Sequence, residues 1–375
     1  MPPTTSRPHE QLAAATLRES IVVLGHTDIA ASDVDWRRES GERNVMDRRH
    51  YPTLSSGGVS VVCDHVGGDW RYGYLPATRL STDSLQRFMR VLDHTYSELA
   101  ESDHFVLATT TADIRAAKRD NKVAFIICLE GASPLQNEIS YLRNFYKLGL
   151  RCVGLTHDVR NEVADGIRER NGGGLTHFGV TVVKECESLG IVVDVSHLSD
   201  RGTEDVLGLS SKPIIASHSN ARSLCGNLRN LPDHMIRGIA QTGGVIGFHA
   251  LDRFVSDKPN ATIDHVLKHI AYVAELGGVD CVGVGPDIME NWDPHIVDYV
   301  SERTRTINGI PITQWKHGYP EGMKTNADLP RLTEGLFGLG FNAEEVRKIL
   351  GGNFMRVFDA VWKSKPEAAS QRQPA

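Results

Sequence analysis

Six short apolar runs in this 375-residue chain each end on a residue that can bind a metal. Ile21–Leu24 is followed by Gly25-His26-Thr27-Asp28, and Val123–Leu129 by Glu130. Cys152–Leu155 leads into Thr156-His157-Asp158, Ile191–Val195 into Ser196-His197, and Pro213–Ala216 into Ser217-His218. Cys281–Val284 ends in Gly285-Pro286-Asp287. On a strand, residues i and i+2 point to one side, so His26 and Asp28 can chelate a single ion. Imidazole and carboxylate ligands suit zinc. His26, His157, His197 and His218, with Asp28, Glu130 and Asp287, are more than one tetrahedral ion needs. They suffice for two ions, about 3.5–4 Å apart and bridged by a carboxylate and a hydroxide. A lone histidine after a strand is ordinarily a hydrogen-bonded core or loop residue. The joint pattern is what points to a metal centre.

The elements that must position these residues are legible as well. The six runs, with Val59–Cys63 and Val245–Phe248, make eight Val/Ile-rich stretches of the kind that form parallel strands buried on both faces. Phe105–Ala108 is weaker and reads as a connection. Ser81–Ser102 and Ile263–Leu276 carry apolar residues at helical spacing. The pairs Leu148-Gly149, Leu189-Gly190 and Leu276-Gly277 precede strands, where glycine suits a left-handed helix end. Ala31–Gly58 is polar, shows no helical pattern, and is expected at the mouth of the site. Eight strands separated by helices predict an α/β fold and favour a closed (β/α)8 TIM barrel over an open doubly wound sheet. In that fold the C-terminal strand ends converge on the face that carries the chemistry. The first βα turn has no GxGxxG, which disfavours a dinucleotide fold. A single domain is expected over 21–360, with 1–20 and the polar 361–375 as tails lacking regular structure.

Composition narrows the function classes. Apolar residues make up 40% and charged residues 23%, ordinary for an enzyme, and the net charge of −6 with no basic stripe argues against a nucleic-acid partner. No signal-peptide pattern, no apolar run of about 18 residues and no apolar C-terminal tail is visible, so no membrane association is expected. Cys63, Cys128, Cys152, Cys186, Cys225 and Cys281 are scattered without a CxxC pair and read as buried reduced thiols, in keeping with a soluble, cytoplasmic protein.

Longer strings carry a family resemblance. CLEGASPL (Cys128–Leu135), GLTHDVRNEVADG (Gly154–Gly166), GGLTHFGVTVVKECESLGIVVDVSHLSD (Gly173–Asp200), PIIASHSNARSLCGNLRNLPD (Pro213–Asp233) and ILGGNFMRVF (Ile349–Phe358) make most of the chain resemble the membrane dipeptidase (renal dipeptidase) family of the amidohydrolase superfamily. The resemblance implies two Zn2+ ions per chain. His26 and Asp28 would bind one, His197 and His218 the other, and Glu130 would bridge them. It further implies that His157 contacts the substrate carbonyl and that Arg229 holds the substrate's terminal carboxylate. Asp287 would be the general base and acid. Homodimers are common among relatives, so a homodimer is expected here.

The chain departs from the family pattern in places. Leu24 stands where the family has Asp, Thr27 where it has Asn, and Ala30 where it has Pro. The surroundings of Asp287 also differ. No inferred ligand is lost, but support behind the ligands could change at Leu24. The expected function is hydrolysis of dipeptides or dipeptide-like amides by a metal-bridging hydroxide. The rivals are a specialised amide, lactam or modified-peptide hydrolase on the same metal site, and a metal-binding module without catalysis. Glu290–Asn326, with Trp292, Trp315, His317 and Tyr319, follows the last strand and is expected over the pocket or at a second subunit. His249, ending the seventh run, is expected to face substrate; His65 and Asp69 carry a weaker functional expectation.

Overall fold

The computed structural model describes residues 7–69, 83–291, 306–307, 310–311 and 318–363. The eight predicted runs are all strands: β1 (Val22–Thr27), β2 (Val59–Gly68), β4 (Val123–Glu130), β5 (Leu150–Gly154), β6 (Val192–Asp194), β7 (Ile215–Ala216), β8 (Val245–Phe248) and β9 (Val282–Val284). They are hydrogen-bonded in the order β1-β2-β4-β5-β6-β7-β8-β9, all parallel, and β9 comes back against β1. This is the expected (β/α)8 barrel. Phe105–Leu107, read from sequence as a connection, is instead a short strand, β3, which pairs with β4 off the barrel path.

Alternation along the strands builds two core layers. Val61 and Cys63, Ala124, Ile126 and Cys128, Cys152, Val192, Ile215 and Val245 form one buried cluster inside the barrel. Val62, Phe125, Ile127 and Leu129 belong to a second cluster, shared with the surrounding helices. The period of two carries the inward face onward to the strand ends. Two residues past Cys63 is His65, and two past Cys128 is Glu130. Phe354 packs where β1 meets β9: an added Cβ at Gly25 would lie 2.4 Å from its ring and one at Gly283 2.5 Å. Both strands need glycine there.

Several local expectations are corrected. Ala31–Gly58 is helical in four short pieces, Ala30–Val34, Asp35–Glu39, Met46–His50 and Tyr51–Ser56. Its buried residues mix charged Asp33, Asp35 and Arg38 with apolar Ala30, Val34, Val45, Met46 and Leu54, and the short pieces sustain no hydrophobic period. Arg38 meets the fully buried Glu98 at 2.5 Å, Asp35 pairs with Arg90 and His94, and Asp33 gathers Arg37, Arg49 and His50. Within the N-terminal segment, expected without regular structure, Arg7–Glu19 is a helix. It buries Ala13 and Leu17 and packs on the helix Leu329–Gly338. Gly149 and Gly190 adopt positive φ as expected, but after the helix Ile263–Gly277 the positive φ falls on Gly278, not Gly277. The predicted helix over Ser81–Ser102 spans Ser84–Glu101. Residues 364–375 of the expected C-terminal tail lie outside the described residues. All six cysteines are buried and free. No helix among the described residues is long and apolar enough to cross a membrane.

Candidate metal centre

His197 and His218 define one half of the centre. Their Nε2 atoms lie 2.9 Å apart. His197 Nδ1 is 2.9 Å from Asp158 Oδ1, and Arg168 holds the other Asp158 oxygen at 3.0 Å. A carboxylate only accepts, so Nδ1 carries the hydrogen and Nε2 offers a lone pair. His218 Nδ1 lies 2.7 Å from Ser217 Oγ, whose hydroxyl donates to Asp194 Oδ2 at 2.5 Å. With its one hydrogen committed, Ser217 accepts from His218 Nδ1–H. Both Nε2 atoms are then acceptors. Glu130 Oε1, a third acceptor, sits 3.1 Å from one and 3.5 Å from the other. Three converging lone pairs repel unless a cation sits among them. Burial, with Arg229 and neighbouring histidines nearby, pushes both imidazole pKa values well below the ordinary range, so a proton is not that cation.

His26 defines the other half. Its Nε2 is 3.3 Å from Asp28 Oδ2, 3.3 Å from Asp287 Oδ1 and 3.8 Å from Glu130 Oε1. Burial alone would lower its pKa, but these three carboxylates outweigh it and hold it well above the ordinary value. A carboxylate cluster that draws a proton onto a fully buried imidazole would equally hold a metal ion. Asp28 Oδ1 and His26 Nδ1 are buried without a hydrogen-bond partner. The side chains that can share an ion group as His26–Glu130–His218, Glu130–His157–His197, His26–Asp28–His65 and His218–His249–Asp287. Glu130 lies between the two halves, and this donor set fits metal ions.

Supporting carboxylates hold the ligands in place. Asp64, inside β2, accepts from Thr27 Oγ1 at 2.7 Å and from the backbone N–H groups of Ile29 and Ala30 at 2.8 and 3.0 Å. It fixes the loop that carries Asp28, whose support was in doubt with Leu24 in place of the family's Asp. Leu24 is buried in the outer core layer and takes no part. Asp69 accepts from the backbone N–H groups of Ser133 and His157 and from Asn161 Nδ2, tying three loops together. His157 keeps 28% of its side chain exposed, stacks on His197 and points Nε2 toward Glu130 Oε2 at 3.9 Å.

His197 and Asp287 have φ of 66° and 54°, the left-handed region. Among the described residues the other non-glycine residues there are asparagines and one glutamine, so His197 and Asp287 are the two residues of the site held in this conformation. Tyr319 braces Asp287: its hydroxyl donates to the Asp287 carbonyl at 3.0 Å and accepts from Met289 N–H at 2.8 Å. Arg229 is buried behind His218, donating to the His218 carbonyl and to Ser219 Oγ, both at 2.8 Å, while its Nε–H has no partner.

This arrangement can be set beside known proteins. The family model for membrane dipeptidase (peptidase family M19) matches residues 10–294. The chain belongs to the membrane dipeptidase family. Dipeptidase verJ of Clonostachys rogersoniana is 30% identical over 283 residues, 74% of this chain and 66% of that protein, so the match spans just under two thirds of the relative's length. An amidohydrolase from Pseudomonas aeruginosa superposes with a TM-score of 0.79 at 27% identity, covering 93% of this chain and 99% of that one. A metallo peptidase from Rhodobacter sphaeroides, liganded with a phosphinate mimic of the dipeptide L-Ala-D-Ala, gives 0.74 at 23%, covering 92% and 100%. The second likeness is one of fold.

Among members of this family the sequence reading singles out His26, Asp28, Glu130, His157, His197, His218, Asp287 and Arg229, and the structure brings all eight together. His249, expected to face substrate, is only 1% exposed and its ring contacts Asp287 instead. His65 stacks on His26 inside the barrel, with neither ring nitrogen hydrogen-bonded. Trp292, Trp315 and His317 lie outside the described residues. Sequence reasoning missed Asp64, Asp158 and Asp194 as supports. One signal was available: a charged residue inside or ending an apolar strand must be paired or metal-linked, and Asp64 and Asp194 are such residues.

Proposed function

We propose that this protein hydrolyses the amide bond of dipeptides or dipeptide-like amides with two zinc ions. The observation that carries this reading is Glu130, whose Oε1 stands between His26 on one side and His197 and His218 on the other. His26 and Asp28 would hold one ion, His197 and His218 the other, with Glu130 shared. Bound zinc supplies Lewis acidity, activating a water and polarising the scissile carbonyl. Asp287 takes the proton of the attacking water and delivers it to the leaving amine. Burial tends to raise its pKa, but His26 and His249 outweigh that and hold it well below the ordinary carboxylate range, so it rests ionised. The partly exposed His157 donates to the oxyanion as it forms. Arg229, with its unpartnered Nε–H, anchors the substrate's terminal carboxylate. An anchor one residue past the scissile bond selects dipeptides over longer chains. The 30% identical relative named as a dipeptidase supports the substrate class.

The test is metal content measured on the same purified sample as hydrolysis of L,L-, L,D- and N-acyl dipeptides. Two zinc ions per chain, with dipeptide turnover abolished by a chelator, is the expected result. Turnover of N-acyl compounds alone would replace it with a specialised amide hydrolase. No metal uptake on reconstitution would overturn the metal assignment itself.

A further inference from the structure

Asp287 has two carboxylate oxygens, and the structure gives them different partners. Oδ1 faces His26 Nε2 at 3.3 Å, on the metal side. Oδ2 faces His249 Nε2 at 3.1 Å, on the side of His218. The His249 tautomer follows from its other nitrogen. Nδ1 accepts the Leu251 backbone N–H at 3.1 Å, so the ring hydrogen is on Nε2 and donates to Asp287. The ring cannot swing away. Phe254 meets it edge-on with centroids 4.6 Å apart, His218 lies 5.3 Å off, and the backbone around His249 is held by Asn220, which accepts from His249 N–H and donates to its carbonyl.

We propose that His249 is a positioning residue for the reaction: its Nε2–H fixes Oδ2 of Asp287, so that Oδ1 alone is left to take and return the proton. The proposal rests on Asp287 as the acid–base group, as given above. An unpinned carboxylate on a strained backbone would rotate and share its proton between both oxygens, and the transfer geometry would loosen. His249 therefore acts on turnover and not on substrate affinity.

Three substitutions separate this role from packing. His249→Phe keeps a ring against Phe254 and removes the donor. His249→Gln places an amide N–H near the Nε2 position, and His249→Asn places one near Nδ1, out of reach of Asp287. With loss of one charge-assisted hydrogen bond, kcat on an L,L-dipeptide should fall about 10- to 100-fold in the Phe and Asn variants. KM and metal content should stay near wild type, and the Gln variant should recover most of the kcat. Equal kcat in Gln and Asn, or wild-type kcat in Phe, overturns the proposal. If the Phe variant loses fold or metal, the Gln–Asn pair decides. Asp287→Asn is the control on the underlying reading. If it retains turnover, Asp287 is not the acid–base group; if it is inactive while the Phe variant is fully active, only the role of His249 fails.

Discussion

The Nε2 atoms of His197 and His218 face one another at 2.9 Å, and each ring has already committed its Nδ1 hydrogen to a carboxylate system. Without a cation this is a repulsive contact inside a folded protein. Metal binding should therefore stabilise the fold as well as enable chemistry. At a metal concentration a hundredfold above Kd, linkage gives about 2.7 kcal/mol. Thermal melts with zinc and with a chelator should differ by several degrees, with the zinc form higher. Identical melts, with zinc uptake absent, would show that the pair is not a metal site.

Glu130 is the residue both halves share, with its Oε1 3.1, 3.5 and 3.8 Å from the Nε2 atoms of His197, His218 and His26. Glu130→Gln keeps the size and removes the charge. Loss of an outer support behind a metal ligand typically costs 10- to 100-fold in affinity or activity, so loss of the shared ligand should exceed about 100-fold in kcat/KM. Bound zinc per chain should fall with it. Normal turnover in this variant would refute the placement of the metals.

Much of this was legible in the sequence, for identifiable reasons. Strands buried on both faces must be apolar along their length, so the Val/Ile runs declared themselves, and ligands at strand ends were readable from position alone. The helices of Ala31–Gly58 were hidden because they are short and mix buried charges with apolar residues, and because Arg38 and Asp35 are satisfied by Glu98, Arg90 and His94, which lie far along the chain. Asp64 was hidden for a similar reason: its role depends on Thr27, 37 residues earlier. The role of His249 could not be read, because it turns on which ring nitrogen carries the hydrogen, and only the Leu251 contact fixes that.

Asp64 supplies what the leucine at position 24 cannot. Its buried carboxylate accepts three hydrogen bonds from Thr27, Ile29 and Ala30, on either side of Asp28. Asp64→Ala would leave those donors unpaired and cost about 3 kcal/mol of stability. It should also weaken zinc binding about 10- to 100-fold, by releasing the Asp28 loop. Urea denaturation and competition with a zinc chelator measure the two effects. Unchanged zinc affinity in a folded Asp64→Ala protein would show that the carboxylate serves packing only.

His269 gives the fold a pH dependence separate from the metal centre. It is 1% exposed; its Nε2–H donates to the Val255 carbonyl at 3.0 Å and its Nδ1 accepts from Ala221 N–H at 3.2 Å. That pattern admits only the neutral ring. Burial, the largest effect, lowers its pKa to about 4. In the unfolded chain a histidine titrates near its ordinary value of about 6.5. Between those values the unfolded state binds the extra proton and the folded state does not. Stability is therefore fully present above about pH 6.5 and falls as the pH drops toward 4, by about 3 kcal/mol in all. The measurement is urea unfolding of the zinc-free protein at intervals over that range, for wild type and His269→Gln. Gln offers a donor and an acceptor but takes up no proton, so its stability should fall less steeply across the window. Parallel slopes in the two proteins would remove His269 as a source of the acid sensitivity.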